Sequence, residues 1–119
     1  MNNIDQKYQF KLRIYKYVIR LVKFLKDLSD IYIIREIIKQ IIRSGTSIGA
    51  NYMEANQAIS KKDFKNKIHI CRKEANETKY WLRLISRANV GKEEACRLFW
   101  KEAHELLLIF SKISKSCDK

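Results

Sequence analysis

"RSGTSIGANYMEAN", residues 43–56, holds Gly45 and Gly49, two of the three glycines in the chain. Whether this stretch is a loop or a helix decides the fold. A phosphate loop of the Walker type needs Gly-x-x-x-x-Gly-Lys-Ser/Thr, so that backbone amides converge on phosphate and the lysine reaches it. "GTSIG" is too short for that pattern and lacks the lysine. A dinucleotide fingerprint needs a preceding strand and a tighter glycine spacing. A turn here would leave "NYMEAN" as an orphaned short helix. On a helical wheel Gly45 and Gly49 fall on the face that carries Ile34, Ile37, Ile38, Ile41, Ile42, Ile48, Tyr52 and Ala55. The stretch therefore reads as the middle and end of a core helix. An interior glycine costs about 1 kcal/mol against alanine. Two on one face predict close helix packing at Gly45 and Gly49, with Trp81 as the expected occupant.

Working outward, the chain has 119 residues and no proline, which fits one domain of long helices. The pattern predicts four helices at about 7–28, 31–57, 61–88 and 93–115, spanning residues 1–119 as one domain. "SD" at 29–30 offers an N-cap for the second helix. "SKKD" at 60–63 is a near capping box for the third. "NVG" at 89–91 ends the third helix, and Glu93 and Glu94 suit the first turn of the fourth. Short connections make sequential helices antiparallel, so the expected fold is all-α, an up-down-up-down four-helix bundle.

The first helix has two apolar faces. Phe10, Ile14, Tyr17, Val18, Leu21, Phe24, Leu25 and Leu28 form the core face. Tyr8, Leu12, Tyr15, Ile19 and Val22 form a second stripe roughly opposite, which no fifth helix is available to cover. Large apolar patches mark interfaces, so this stripe predicts self-association. Between the stripes run Arg13, Lys16, Arg20 and Lys23.

The formal charge is +12. Lysine, isoleucine and asparagine are frequent, as in AT-rich genomes, so the position of the charge carries more weight than its total. Residues 60–90 hold nine basic residues against three acidic ones, and residues 1–30 hold seven against three. On the third helix Phe64, Ile68, Cys71, Ala75, Thr78, Leu82 and Ile85 face the core. Across from them lie Lys62, Lys65, His69, Arg72, Lys73, Asn76, Lys79, Arg83 and Arg87, with Asp63, Glu74 and Glu77 on one flank. Cations about one turn apart can track phosphates, and arginine adds bidentate hydrogen bonds. Tyr80, on the same face, offers a ring for stacking on an unpaired base. Nothing in this face reads a base sequence.

Other chemistry is poorly served. A carboxylate-bridged metal site in a bundle uses Glu-x-x-His on two helices. The two histidines, His69 and His104, are preceded at that spacing by Asn66 and Lys101. Glu54, Glu74, Glu77 and Glu102 are expected to pair with nearby Lys or Arg instead. Cys71 lies on the core face and His69 across the helix from it. Cys71, Cys96 and Cys117 form neither a disulfide framework nor a zinc signature, which fits a reduced cytoplasmic setting. The expectation is therefore no enzyme, no metal, no cofactor, no small-molecule substrate and no membrane span.

"RSGTSIGAN", then "EA", "S-x-x-DF" and "KEA-x-ET-x-YWL" together make the chain resemble the bacterial 23S rRNA intervening-sequence proteins, from about residue 8 to 113. It is more distantly similar to the accessory variability protein of diversity-generating retroelements. The resemblance implies an antiparallel four-helix bundle and a ring-shaped homopentamer. It implies nucleic-acid association too, since the retroelement relative binds nucleic acid through a basic surface. The family carries no catalytic residues to transfer. The combined expectation is a non-enzymatic, basic, oligomeric bundle that binds nucleic acid, RNA in preference to DNA. Its phosphate contacts would be Arg13, Lys16, Arg20, Lys23, Lys65, Arg72, Lys73, Lys79, Arg83 and Arg87. The alternative is a protein-interaction scaffold whose charge serves only solubility.

Overall fold

A computed structural model of the chain describes residues 3–28, 32–88 and 91–118. They form four helices: α1 Asn3–Lys26, α2 Tyr32–Ala55, α3 Lys61–Ala88 and α4 Glu93–Ser116. The "SD" cap and the first two residues of "NVG" lie outside the described residues. Gly91 has φ +93°, a left-handed backbone that suits glycine at the end of that connection. α2 stops two residues earlier than the sequence pattern predicts. There the chain tightens, with Gln57 N donating to Glu54 O and Ala58 N to Ala55 O. At the start of α3 the Ser60 hydroxyl accepts the Asp63 N–H at 3.0 Å, the cap predicted from "SKKD".

Cross-helix contacts fix the topology. α1 meets α4 through Phe10–Phe110, Arg13–Glu105 and Tyr17–Phe99, so one number rises as the other falls. The same inversion holds for Ser44–Thr78 and Ile48–Cys71 between α2 and α3. It holds again for Lys79–His104 and His69–Ser114 between α3 and α4. Each helix thus packs antiparallel to its neighbours in an up-down-up-down bundle. The long axis of 46 Å matches α3, whose 28 residues span about 42 Å at 1.5 Å per residue.

The core is the one the helical wheel predicts except at Ile42, which was placed on the core face of α2 and is exposed. Ile14, Tyr17, Leu21 and Leu25 of α1 meet Ile34, Ile41, Ile48 and Tyr52 of α2, Ile68, Cys71, Leu82 and Ile85 of α3, and Leu106 and Phe110 of α4. Tyr17 is fully buried, and its hydroxyl donates to Phe99 O at 2.9 Å, so the phenol does not cost an unmet hydrogen bond. α1 is held differently on its two sides. Toward α4 it presents Phe10, Tyr17 and Phe24 to Phe99 and Phe110, and these rings space the helices apart. Toward α2 it meets the glycines. A Cβ on Gly45 would stand 2.6 Å from Leu21 Cδ2, whereas one on Gly49 would meet Val18 and Ile14 at ordinary distances of 3.7 and 3.9 Å. The neighbour at Gly45 is therefore Leu21 of α1. Trp81 stands elsewhere on α3, bonded to Glu77 of its own helix at 3.2 Å. No described helix is long and apolar enough to cross a membrane.

Candidate nucleic-acid interface

Six of the signature residues quoted above, Arg43, Ser44, Glu74, Glu77, Thr78 and Trp81, form one polar cluster between α2 and α3. Arg43 Nη1 donates to Glu74 at 3.0 Å, and Arg43 Nη2 donates to Glu77. Trp81 Nε1 also donates to Glu77, and beneath them the buried Thr78 hydroxyl donates to Ser44 Oγ at 2.8 Å. Glu74 is buried, with 7% of its side chain exposed, and Arg43 is about half in solvent. Burial pushes the Glu77 carboxyl up, but hydrogen bonds from Arg43 and Trp81 outweigh it and hold it below the usual carboxylate range. This cluster fixes the register of α2 on α3. Its charges are met inside the bundle, so it is structural in character.

The basic residues divide by what they touch. On α1, Arg13 bonds Glu102 and Glu105 at 3.4 and 3.0 Å, and Arg20 bonds Glu102 at 2.7 Å. Lys16 and Lys23 are exposed on the same helix. On α3, Lys65 is tied to Asp118. Lys79 lies over the Trp100 ring, 4.7 Å from its centroid, and meets His104 Nδ1 at 2.9 Å. Arg72, Lys73, Arg83 and Arg87 are exposed, and among the described residues none of them makes an ion pair within 4 Å. These four span about 22 Å along α3, at 1.5 Å per residue.

Together they line the α3 side of the groove against α4. The α4 wall brings in Arg97, Trp100 and Leu107. Sequence reading assigned these no role, because their relevance depends on the α3–α4 register and not on spacing within one helix. Tyr80 is exposed, and its ring packs edge-on against Trp81. His104 stacks flat on Trp100, with ring centroids 5.4 Å apart and planes 12° apart. Glu54, Glu74, Glu77 and Glu102 do not converge: Glu54 approaches Lys67, and the others pair with arginines. Among the described residues no group of three or more His, Cys, Asp or Glu side chains could hold a metal.

The α1 stripe is uncovered where it was expected to be. Tyr8 and Tyr15 are 62% and 64% exposed, and Leu12, Ile19 and Val22 are half-buried. Tyr8, Leu12 and Tyr15 of the stripe, with Met53 and Gly49 of α2, wall an apolar cleft of about 390 Å³.

The family model described as 23S rRNA-intervening sequence protein matches residues 6–112. The chain belongs to this family. Among solved structures it is similar to a protein of unknown function from the S23 ribosomal protein family of Bacteroides thetaiotaomicron VPI-5482. The two share 37% identity over 92% of this chain and 97% of that one, with a TM-score of 0.79. No curated protein matches the chain. The match covers all four helices, so the polar signature between α2 and α3 and the basic groove between α3 and α4 sit on the family's fold.

Proposed function

We propose that the protein is a non-enzymatic RNA-binding bundle that contacts phosphates along the exposed edge of α3 and assembles as a homopentamer through the α1 stripe. One observation carries the RNA reading: Arg72, Lys73, Arg83 and Arg87 form a one-sided row of exposed cations that make no ion pair within 4 Å among the described residues. Exposed cations gathered on one face favour a polyanion. Lys65, Lys79, Lys16 and Lys23 extend the field. Arg13 and Arg20 can join it, because ion pairs at the surface are worth little and exchange readily for phosphate. RNA is preferred to DNA because the family's description names 23S rRNA; the surface itself reads only phosphate.

The test is fluorescence anisotropy with labelled structured RNA at low salt. Reversing Arg72, Arg83 and Arg87 to Glu should weaken binding by at least tenfold. Reversing Lys7, Lys26 and Lys39, which makes the same change in net charge elsewhere, should do much less. Equal losses in the two variants would reduce the effect to total charge and remove the site.

A further inference from the structure

The α3–α4 groove is not uniform. At the end where α3 finishes and α4 begins it widens into a cleft of about 520 Å³, within the size range of small-ligand sites. Leu82, Cys96 and Trp100 line its apolar part, and Arg83, Arg87 and Arg97 stand on its walls. Arg83 and Arg87 are one helical turn apart and free of ion pairs among the described residues, so both guanidinium groups can reach one anion. Arg97 is held by Glu94 through bonds of 3.1 and 2.6 Å. The other nearby acid, Glu93, has its carboxylate turned to the Gly91 N–H at 3.0 and 3.1 Å. Lys79 and His104 lie one turn farther into the bundle than Arg83 and Trp100, and they hold the indole from that side.

A held indole beside two unpaired arginines suits a ligand that carries a flat aromatic group next to a phosphate. We infer that this cleft seats one unpaired nucleotide of a bound RNA strand, its base against Trp100 and its phosphate on Arg83 and Arg87. The inference rests on the RNA reading and sharpens it: a surface that only tracks phosphates favours the duplex, with its denser charge, whereas this cleft favours an unpaired nucleotide. Base stacking on an aromatic side chain is sequence-tolerant, so the expected preference is for single strands and not for a base sequence.

Trp100 supplies its own reporter. In a Trp81→Phe protein it is the only tryptophan. Adding single-stranded decaadenylate should quench its fluorescence, and a blunt duplex of matched phosphate number should not. Trp100→Leu should cost roughly 5- to 150-fold in affinity for the single strand and leave the duplex unchanged. Trp100→Phe, which keeps a stacking ring, should restore most of it. If the Trp81→Phe protein binds decaadenylate with no change in Trp100 fluorescence, or if Trp100→Leu weakens single strand and duplex equally, the cleft is not a nucleotide seat, although the protein still binds RNA. Absence of binding to either probe at low salt would overturn both readings.

Discussion

Gly45 and Gly49 look equivalent in sequence and are not equivalent in space. A Cβ on Gly45 would press on Leu21, which is fully buried and has little room to move. Overpacking of this kind costs about 1–3 kcal/mol, against about 1 kcal/mol gained in helix propensity. Gly45→Ala should therefore be neutral to destabilising by about 2 kcal/mol. Gly49→Ala meets only ordinary contacts and should stabilise by up to about 1 kcal/mol. Urea unfolding of both variants checks the opposite signs. The helical wheel located the glycine face correctly but could not say which neighbour fills it, since the period of one helix carries no information about its partner. That is why Leu21, and not Trp81, stands at Gly45. The thiols also separate at this scale. Burial pushes Cys71 up to about 12, and burial with the Glu93 charge pushes Cys96 to about 11. Iodoacetamide at pH 8 should label the half-buried Cys117 and reach Cys71 and Cys96 only on unfolding. Above about pH 8.5 the unfolded chain gives up thiol protons that the folded state keeps. Stability should fall from there as pH rises.

Between helices, the decisive feature is the Arg43–Glu74–Glu77 cluster. Sequence reading placed both glutamates on a flank of α3 and expected them to pair with cations. It did not identify Arg43, which lies 31 residues away from Glu74 on another helix. Removing Arg43 strands a buried carboxylate, so Arg43→Ala should cost about 2–3 kcal/mol in urea unfolding, although the half-exposed guanidinium keeps the figure below that of a fully buried pair. The depressed Glu77 carboxyl contributes stability above the unfolded carboxyl range of about 4.3, and this is lost as pH falls below it. Glu77→Gln should flatten that acid limb of the stability curve. The α1 stripe was legible as a pattern of five residues, because a second apolar face on a bundle helix has no place inside the bundle. Tyr8→Glu with Tyr15→Glu, at sites already open to solvent, should leave the fold intact and lower the mass seen by sedimentation. A wild-type monomer, or an unchanged mass in the variant, would contradict assembly through this stripe.

For the molecule as a whole, fold and family were readable because they rest on periodicity and on a contiguous signature, and both survive in one dimension. The functional surface was readable only in part. The row of cations on α3 follows from helical spacing. Its division into engaged and unengaged members depends on Trp100 and His104 of α4, which hold Lys79, and on Asp118 just beyond α4, which holds Lys65. The partners on α1 and α3 differ, and that difference shifts the weight of the RNA reading to Arg72, Lys73, Arg83 and Arg87. The most direct measurement of this claim is the salt dependence of RNA affinity for the wild-type protein and for a variant with Arg72, Arg83 and Arg87 changed to Gln. Each phosphate contact on a single strand contributes about 0.7 to the slope of log affinity against log salt. The wild-type slope should be steep and should fall by about 2 in the variant; an unchanged slope, or no RNA binding at about 50 mM salt, would contradict phosphate contact along α3.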